Sequence, residues 1–189
     1  SGGSISFYTN ALELKHRGVD VVLTSSIDWT SSIDTDVTFA FSYNQIDITD
    51  QALVNGIAPV SDSLIEDIEN NYPNERFVFT TNTHFSEQLS LMIRANYYGK
   101  HYDERGTING APGSNSALID DIIYVDLELN YDVNENVRVT FGGSNIFDTY
   151  VDDIGLENAN RVSVGLPYPR RTAANYEGGS WYLRGTYNF

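Results

Sequence analysis

Two adjacent arginines, Arg170 and Arg171, form the strongest positive feature in long polar segments that are otherwise acidic. A guanidinium group presents paired N–H donors that match the oxygens of a carboxylate or phosphate, so the pair could hold an anionic group of a ligand. The other interpretation is structural, with the pair bridging to Asp or Glu side chains of neighbouring loops. The residue pattern leaves both interpretations open.

Tyrosines border or occupy the same long segments and could supply surface for ligand contact. A tyrosine ring is rigid and amphipathic, so it gives contact area at low entropic cost. Aromatic rings near strand ends can instead form a girdle at a membrane interface. The predicted ligand-binding residues are Tyr102, Tyr168, Arg170, Arg171 and Tyr176.

Catalytic chemistry has no support in the residue pattern. The histidines His16, His84 and His101 fall in distant segments, and no Ser–His–Asp order, glycine elbow or HExxH spacing is present. The acidic pairs Asp120–Asp121 and Asp152–Asp153 lack the spaced oxygen ligands of a calcium loop. We therefore expect no enzymatic activity, no cofactor and no metal site.

Composition limits the class of protein. The 189 residues carry a net charge of -15, and this acidity argues against nucleic-acid partners, which need a basic face. The absence of cysteine excludes disulfides and cysteine-ligated metals. No apolar run approaches the roughly 20 residues of a transmembrane helix, whereas the strands of a membrane barrel alternate and stay polar on average.

Alternation of apolar and polar residues is the main structural signal, and it predicts seven or eight antiparallel strands. Many of them run to about 10 residues, which exceeds the usual strand and suits a tilted bilayer crossing. The alternating stretches include Val37–Tyr43, Leu89–Tyr97, Ile123–Tyr131 and Ser180–Phe189. A soluble β-sandwich alternates in the same way, so it remains a competing interpretation at this point.

Charged residues recur on the polar parity of these strands. We expect Arg94, Asp126, Glu128 and Arg138 to form a charge ladder that braces the barrel wall or a plug within it. Further upstream the apolar parity changes, which predicts either a β-bulge near Arg17–Gly18 or a turn there.

The predicted connections alternate in length. Short turns are expected near Trp29–Asp34, Ser86–Gln88 and Asp132–Asn136, and long segments at about 50–75, 101–120 and 147–178. Short turns at one end and long loops at the other are typical of outer-membrane barrels. In the first long segment, residues 63–66 fit a capping box and predict a short helix that begins there.

Three separated stretches together resemble the β-barrel of TonB-dependent outer-membrane receptors. They are "NALELKHRGVDVVL" at Asn10–Leu23, "GGSNIFDTY" at Gly142–Tyr150, and "PYPRR" at Pro167–Arg171, which is followed by "YEGGSWYLRGTYNF". The last strand also resembles the signal read by the barrel assembly machinery, with Tyr187 and Phe189 at the two aromatic positions. The family's usual glycine is shifted by one place here, to Gly185.

The resemblance implies an all-β, antiparallel transmembrane barrel with short periplasmic turns and long extracellular loops. Residues 1–189 would supply the last seven or eight of about 22 strands, with the plug domain and earlier strands outside the sequence. The implied location is the Gram-negative outer membrane. The implied partners are the rest of the receptor, the TonB complex, outer-membrane lipid and a small or oligomeric ligand.

The implied function is TonB-coupled uptake of a scarce ligand, such as an iron chelate, cobalamin, oligosaccharide or peptide. The alternative from the residues alone is a self-contained barrel of about eight strands with a structural or adhesive role.

Overall fold

The computed structural model describes residues 10–103, 107–108, 111–112, 117–153, 167–169, 171–172 and 175–189. The strands are β1 (Leu12–Asp28), β2 (Asp34–Gln51), β3 (Glu75–His84), β4 (Leu89–Tyr98), β5 (His101–Asp103), β6 (Thr107–Ile108), β7 (Ala111–Pro112), β8 (Ala117–Ile119), β9 (Ile122–Asp132), β10 (Val137–Ser144) and β11 (Ser180–Tyr187), and the helix is α1 (Asp62–Asn70).

Seven long strands form one antiparallel sheet in the order β1-β2-β3-β4-β9-β10-β11. Each of these seven strands pairs with the long strands next to it in the sequence. The short strands of the second long loop form two separate pairs, β5 with β8 and β6 with β7. This meander confirms the predicted all-β antiparallel fold. Within the described residues β1 and β11 lie at opposite ends of the strand order, so the sheet is open.

Over most of the sheet, residues that lie opposite each other on neighbouring strands are both odd-numbered or both even-numbered. The odd-numbered side chains of the long strands therefore share one face of the sheet, and this face is apolar. On this apolar face Ile93 of β4 lies opposite Leu127 of β9, and Leu127 lies opposite Gly143 of β10 on its other side. Even-numbered side chains form the opposite, polar face, where a cleft of about 760 Å³ is lined by residues such as Asn82, Arg94 and Glu128.

The apolar face has no covering layer within the described ranges. Leu23, Leu183 and Phe141 are 60%, 75% and 43% exposed. The buried apolar residues lie instead at the end of the sheet where β1 begins, and they are Ala11, Tyr102, Ile119, Tyr124 and Val151. A β-sandwich needs a second sheet against its apolar face. The described residues show no second sheet of that size, and a single antiparallel sheet with one apolar and one polar face is the form of a barrel wall.

The β1–β2 hairpin corrects one prediction from the sequence. β1 is a single strand, but its pairing with β2 is regular at Arg17 and Gly18, and the register shifts between Glu13 and Leu14, which leaves Thr49 as the extra residue. Beyond the end of β3 the hairpin continues beside α1, where Glu69 accepts a hydrogen bond from the backbone N–H of Ile48 at 2.7 Å.

The short helix was predicted in the right segment but two residues too late. α1 begins at Asp62 with Ser61 as its N-cap, and the Ser61 hydroxyl accepts from the backbone N–H of Leu64 at 3.4 Å. The predicted cap at position 63 is also a serine, but the N-cap in the structure is Ser61, whose backbone is extended as an N-cap requires. No helix in the described part of the chain is long and apolar enough to cross a membrane.

Candidate functional site: the loop cluster

The connections between long strands are segregated by length. Residues 29–33, 85–88 and 133–136 form short turns, whereas residues 52–74, 99–121 and 145–179 connect the other strand ends. Because successive strands run in opposite directions, the three short turns lie at one end of the sheet and the three long connections at the other. The predicted separation of turns and loops is therefore confirmed, and we call the long connections together the loop cluster.

Arg171 connects the last long loop to the other two. Its guanidinium Nη1 donates to Oδ2 of Asp67 in α1, whose side chain is only 5% exposed. Its backbone N–H donates to Oδ2 of Asp103 at 3.3 Å, and its carbonyl oxygen accepts from Nε2 of His101 at 3.0 Å. The hydrogen bond to Asp67 raises the pKa of Arg171, so the guanidinium stays charged at any accessible pH.

These contacts give Arg171 the structural role that the sequence left open as an alternative. A carboxylate buried in this way needs a charged, hydrogen-bonded partner, and Arg171 supplies it. Asp67, Asp103 and His101 were not singled out from the sequence, since nothing in the spacing of three distant segments indicates that they meet. The prediction that Arg171 also binds a ligand stays a prediction, and Arg170 lies outside the described residues.

Tyr102 belongs to the buried base of the loop cluster. β5 pairs with β8, where Tyr102 lies opposite Leu118, and its side chain is 8% exposed. The neighbouring His101 and Asp103 are also buried. Among the described residues, the Tyr102 hydroxyl and Nδ1 of His101 have no hydrogen-bond partner. The predicted ligand contact at Tyr102 is untested, and its ring packs inside the loop cluster.

Tyr168 and Tyr176, both predicted to bind ligand, belong to one row of stacked rings. The Tyr168 centroid lies 6.2 Å from that of Tyr150 and 5.9 Å from that of Tyr176, with interplanar angles of 11° and 18°. The Tyr176 hydroxyl donates to the carbonyl oxygen of Pro169 at 2.6 Å. The row therefore brings together two of the residues predicted to bind ligand, and it includes Tyr150, which was not predicted to do so. A hydrogen bond to Asp148 raises the pKa of the Tyr150 hydroxyl.

A tight turn fixes where the last long loop begins. The Asn145 side chain donates to the carbonyl oxygen of Thr149 at 2.8 Å and accepts from its backbone N–H at 3.0 Å. Asn145 and Asp148 both have positive φ, a conformation that Asn and Asp tolerate better than most residues. Asp148 also accepts from the backbone N–H of Gly179 at 2.7 Å, so the turn holds both ends of the loop together.

A cavity of about 370 Å³ lies where the loop cluster meets the polar face. Its lining includes the rings of Tyr98 and Tyr124 and the acidic side chains of Asp126 and Glu177. The Tyr124 hydroxyl donates to the carbonyl oxygen of Asn175 at 3.4 Å, which joins the last loop to β9. Carboxylates, amides and hydroxyls in one cavity suit a polar ligand group held by hydrogen bonds.

Carboxylates on the polar face connect the last strands. Glu128 accepts from the Tyr182 hydroxyl at 2.5 Å, from Asn130 Nδ2 at 3.1 Å and from Arg184 Nη2 at 3.3 Å. Asp132 forms a two-point contact with Arg138 at 2.6 and 2.8 Å. The Asp132–Arg138 pair joins the neighbouring strands β9 and β10, and Glu128 reaches across β10 to β11, so charged groups connect three strands of this face.

Asp126 connects the same face to the loop cluster. It accepts from Asn96 Nδ2 at 3.1 Å and from Ser144 Oγ and the backbone N–H of Asn145, both at 3.0 Å. Arg94 lies opposite Asp126 in the β4–β9 pairing. All four residues predicted to form the charge ladder therefore lie on the polar face, namely Arg94, Asp126, Glu128 and Arg138.

Tyr187 and Phe189, the predicted barrel-assembly signal, lie at the end of β11 with their ring centroids 5.8 Å apart. Both side chains are exposed on the apolar parity, and Tyr187 lies opposite Val137. Between them, the backbone N–H of Asn188 donates to the carbonyl oxygen of Asn136 at 2.9 Å. Recognition of these aromatics by an assembly machinery stays a prediction.

Metal-ligating side chains come together at the other end of the sheet, among the short turns. Asp34 and Asp36 of β2 and His84 of β3 offer ligand atoms that all lie within 4.8 Å of one another. The sequence did not indicate this group, because His84 is 50 residues from Asp34 along the chain.

Comparison with known families matches this architecture. A family model described as "TonB dependent receptor-like, beta-barrel" matches residues 1–146. No curated protein matches the chain.

Proposed function

The chain belongs to the TonB-dependent receptor β-barrel family, and on that basis we propose that residues 1–189 form the C-terminal part of the barrel of a larger receptor. The family consists of outer-membrane receptors and transporters rather than enzymes. The plug domain and the earlier strands lie outside this segment in the proposal. The open ends of the sheet at β1 and β11 support it, because a barrel wall needs partner strands at both edges.

The proposed activity is capture of a scarce ligand by the loop cluster, followed by energised passage across the outer membrane. The rest of the receptor would contact TonB and supply the plug. Support comes from the separation of loops and turns and from the two-faced sheet, whose apolar face suits lipid and whose polar face suits an aqueous lumen. The ligand classes we consider are iron chelates, cobalamins, oligosaccharides and peptides.

Within the loop cluster, the proposed ligand contacts are Tyr102, Tyr168, Arg170, Arg171 and Tyr176. The stacked rings of Tyr168 and Tyr176 support this, because stacked aromatic surfaces supply ligand contact area with few degrees of freedom. Arg171 would act chiefly by holding these loops in place through Asp67.

The alternative, a self-contained barrel of about eight strands, has less support. The described residues form seven long strands whose first and last members do not pair. The single observation that carries the receptor proposal is the match of the family model across residues 1–146.

An uptake assay tests this function. The complete receptor is expressed in a Gram-negative host that lacks related receptors, and in an otherwise identical host without TonB. Labelled members of the four ligand classes are then offered. We expect one class to bind at the surface of both hosts and to accumulate only in the host with TonB. Equal accumulation without TonB, or recovery of the receptor outside the outer-membrane fraction, would contradict the proposal.

A further inference from the structure

Two aspartates and one histidine share the polar face at the short-turn end of the sheet. Asp34 and Asp36 are two positions apart on β2, so their side chains point to the same face. His84 lies directly opposite Asp34 on β3. Nδ1 of His84 lies 2.8 Å from Oδ2 of Asp34, and the ligand atoms of all three residues lie within 4.8 Å of one another.

The surroundings of this trio are strongly negative. Asp28 of β1 pairs with Asp34, and Glu87 lines the adjoining cleft of about 820 Å³. Among the described residues that line this cleft, none is Lys or Arg. Asp132 and Glu128 of the polar face contact Arg138 and Arg184, whereas Asp34 contacts the His84 imidazole and has no Lys or Arg partner among the described residues. Such a group gains from a bound cation.

The donor set and its spacing suit a transition metal. For a tetrahedral zinc ion with ligands at about 2.0–2.2 Å, neighbouring ligand atoms stand about 3.3–3.6 Å apart. The 2.8 Å between Nδ1 of His84 and Oδ2 of Asp34 is a hydrogen bond that must open slightly to admit the ion, and the ligand atoms of all three residues already lie within 4.8 Å of one another. Asp36 would exchange its hydrogen bond with Ser26 for the metal. An imidazole nitrogen beside carboxylates favours zinc-like ions over calcium, which takes oxygen ligands almost entirely.

We propose that Asp34, Asp36 and His84 bind one divalent transition-metal ion, of which zinc is the representative, at the short-turn end of the polar face. The metal takes the position of the proton that Nδ1 of His84 now directs at Asp34. That proton moves to Nε2, where the amide of Asn82, 3.1 Å away, turns to accept it. The remaining coordination positions hold water or a group from the rest of the receptor, and the ion links β2 to β3.

The test is a zinc titration of the complete receptor, purified in detergent and freed of metal with a chelator. Calorimetry should show one zinc site in the wild-type protein. His84→Gln and Asp36→Asn should each weaken that site by about tenfold or more, because each removes one ligand. Asp132→Asn serves as the matched control, since Asp132 is an acidic residue of the same face that pairs with Arg138, and it should leave the zinc affinity unchanged.

The folding of each variant is checked by its heat-dependent mobility in gels. If His84→Gln does not fold, the zinc affinity of Asp36→Asn alone tests the site. The proposal is overturned if the wild-type receptor binds no zinc. That result is expected if a basic side chain from another segment of the receptor already pairs with Asp34 and Asp36. The proposal is overturned equally if both variants bind zinc as tightly as the wild type. Neither result bears on uptake, so the metal site and the transport function fail or stand separately.

Discussion

Arg171 and Asp67 lie 104 residues apart in the chain, yet they form an ion pair that joins the last long loop to α1. Asp67 is almost fully buried, and Arg171 is held a second time through its own backbone by Asp103 and His101. One residue thereby fixes the positions of all three long connections. The geometry of the loop cluster, where we propose that ligand binds, would then depend on this contact.

Removing the charge of Asp67 should loosen α1. In Asp67→Asn, Arg171 keeps its charge but loses its ionised partner, and hydrogen bonds to charged groups contribute about 1.5–3 kcal/mol. Amide hydrogen exchange in residues 62–70 should therefore accelerate by roughly tenfold to a hundredfold. Lys100→Gln is the control, because it breaks the exposed Lys100–Asp120 pair and should leave α1 unchanged. Unaltered exchange in Asp67→Asn would show that the ion pair does not hold the helix.

A second prediction concerns Gly142, whose face is covered by the ring of Tyr182 on the neighbouring strand. A methyl group at Gly142 would overlap that ring and displace the Tyr182 hydroxyl from Glu128. Gly142→Ala should lower the free energy of unfolding of the receptor by about 1–2 kcal/mol, measured by urea titration.

Gly185 on β11 provides the matched control for that substitution. An added Cβ there meets no atom within 4 Å, so Gly185→Ala should change stability by less than about 0.5 kcal/mol. Equal effects of the two substitutions would mean that Tyr182 does not pack over Gly142.

The two faces of β4 should respond oppositely to a charge. Ile93 lies on the apolar face, and an arginine near the middle of the bilayer costs about 2–4 kcal/mol. Met92, the preceding residue, lines the cleft of the polar face. We expect Ile93→Arg to reduce the amount of folded receptor in the outer membrane several-fold and Met92→Arg to leave it near the wild-type amount. Quantitative blotting of membrane fractions gives the comparison, and the opposite order would reverse the assignment of the faces.

The Tyr150–Asp148 contact predicts a pH dependence in the last long loop. The carboxylate of Asp148 raises the pKa of the Tyr150 hydroxyl above its usual 10. The contact is therefore complete at pH values below the ordinary tyrosine pKa, and it is lost as pH rises through the higher pKa of the folded protein. Fluorotyrosine NMR, with Tyr150→Phe for assignment, measures the titration.

In the same experiment Asp148→Asn removes the cause of the shift. The midpoint of Tyr150 should fall towards the usual tyrosine value in this variant, whereas the other tyrosine signals keep theirs. A midpoint that is the same with and without the Asp148 carboxylate would rule out the contact.

The sequence predicted the seven long strands well because period-two alternation reflects a physical requirement of a two-faced sheet. The last strand is an example, since Trp181, Leu183 and Tyr187 share one parity and lie on one face. The register shift at Glu13–Leu14 could not be located in the same way, because the extra residue, Thr49, lies on the partner strand β2 and not in β1. The start of α1 was predicted two residues too late because the capping-box pattern selects Ser63, with Glu66 three residues later, whereas the N-cap is Ser61.

The loop cluster was much less accessible from sequence. Tyr168 and Tyr176 were predicted as ligand contacts from residue type and position in a long segment. The stacking of Tyr168 between Tyr150 and Tyr176 depends on how the loop folds back. The partner of Arg171 lies in another loop, and no local pattern selects Asp67 from the many acidic residues of the chain. Contacts of this kind are set by tertiary packing between segments that are distant in sequence.

The central claim is that this chain forms a barrel wall with its odd-numbered face in lipid and its even-numbered face in the lumen. The chain has no cysteine of its own, so single cysteines introduced in β9 can carry spin labels in the complete receptor after any cysteines elsewhere are replaced. The labelled positions are Val125, Asp126, Leu127, Glu128, Leu129 and Asn130.

In lipid bilayers, collision rates are measured with oxygen, which concentrates in lipid, and with a water-soluble nickel chelate. We predict that labels at 125, 127 and 129 collide mainly with oxygen and that labels at 126, 128 and 130 do not. A pattern without this alternation, or one with the two faces exchanged, would contradict the account.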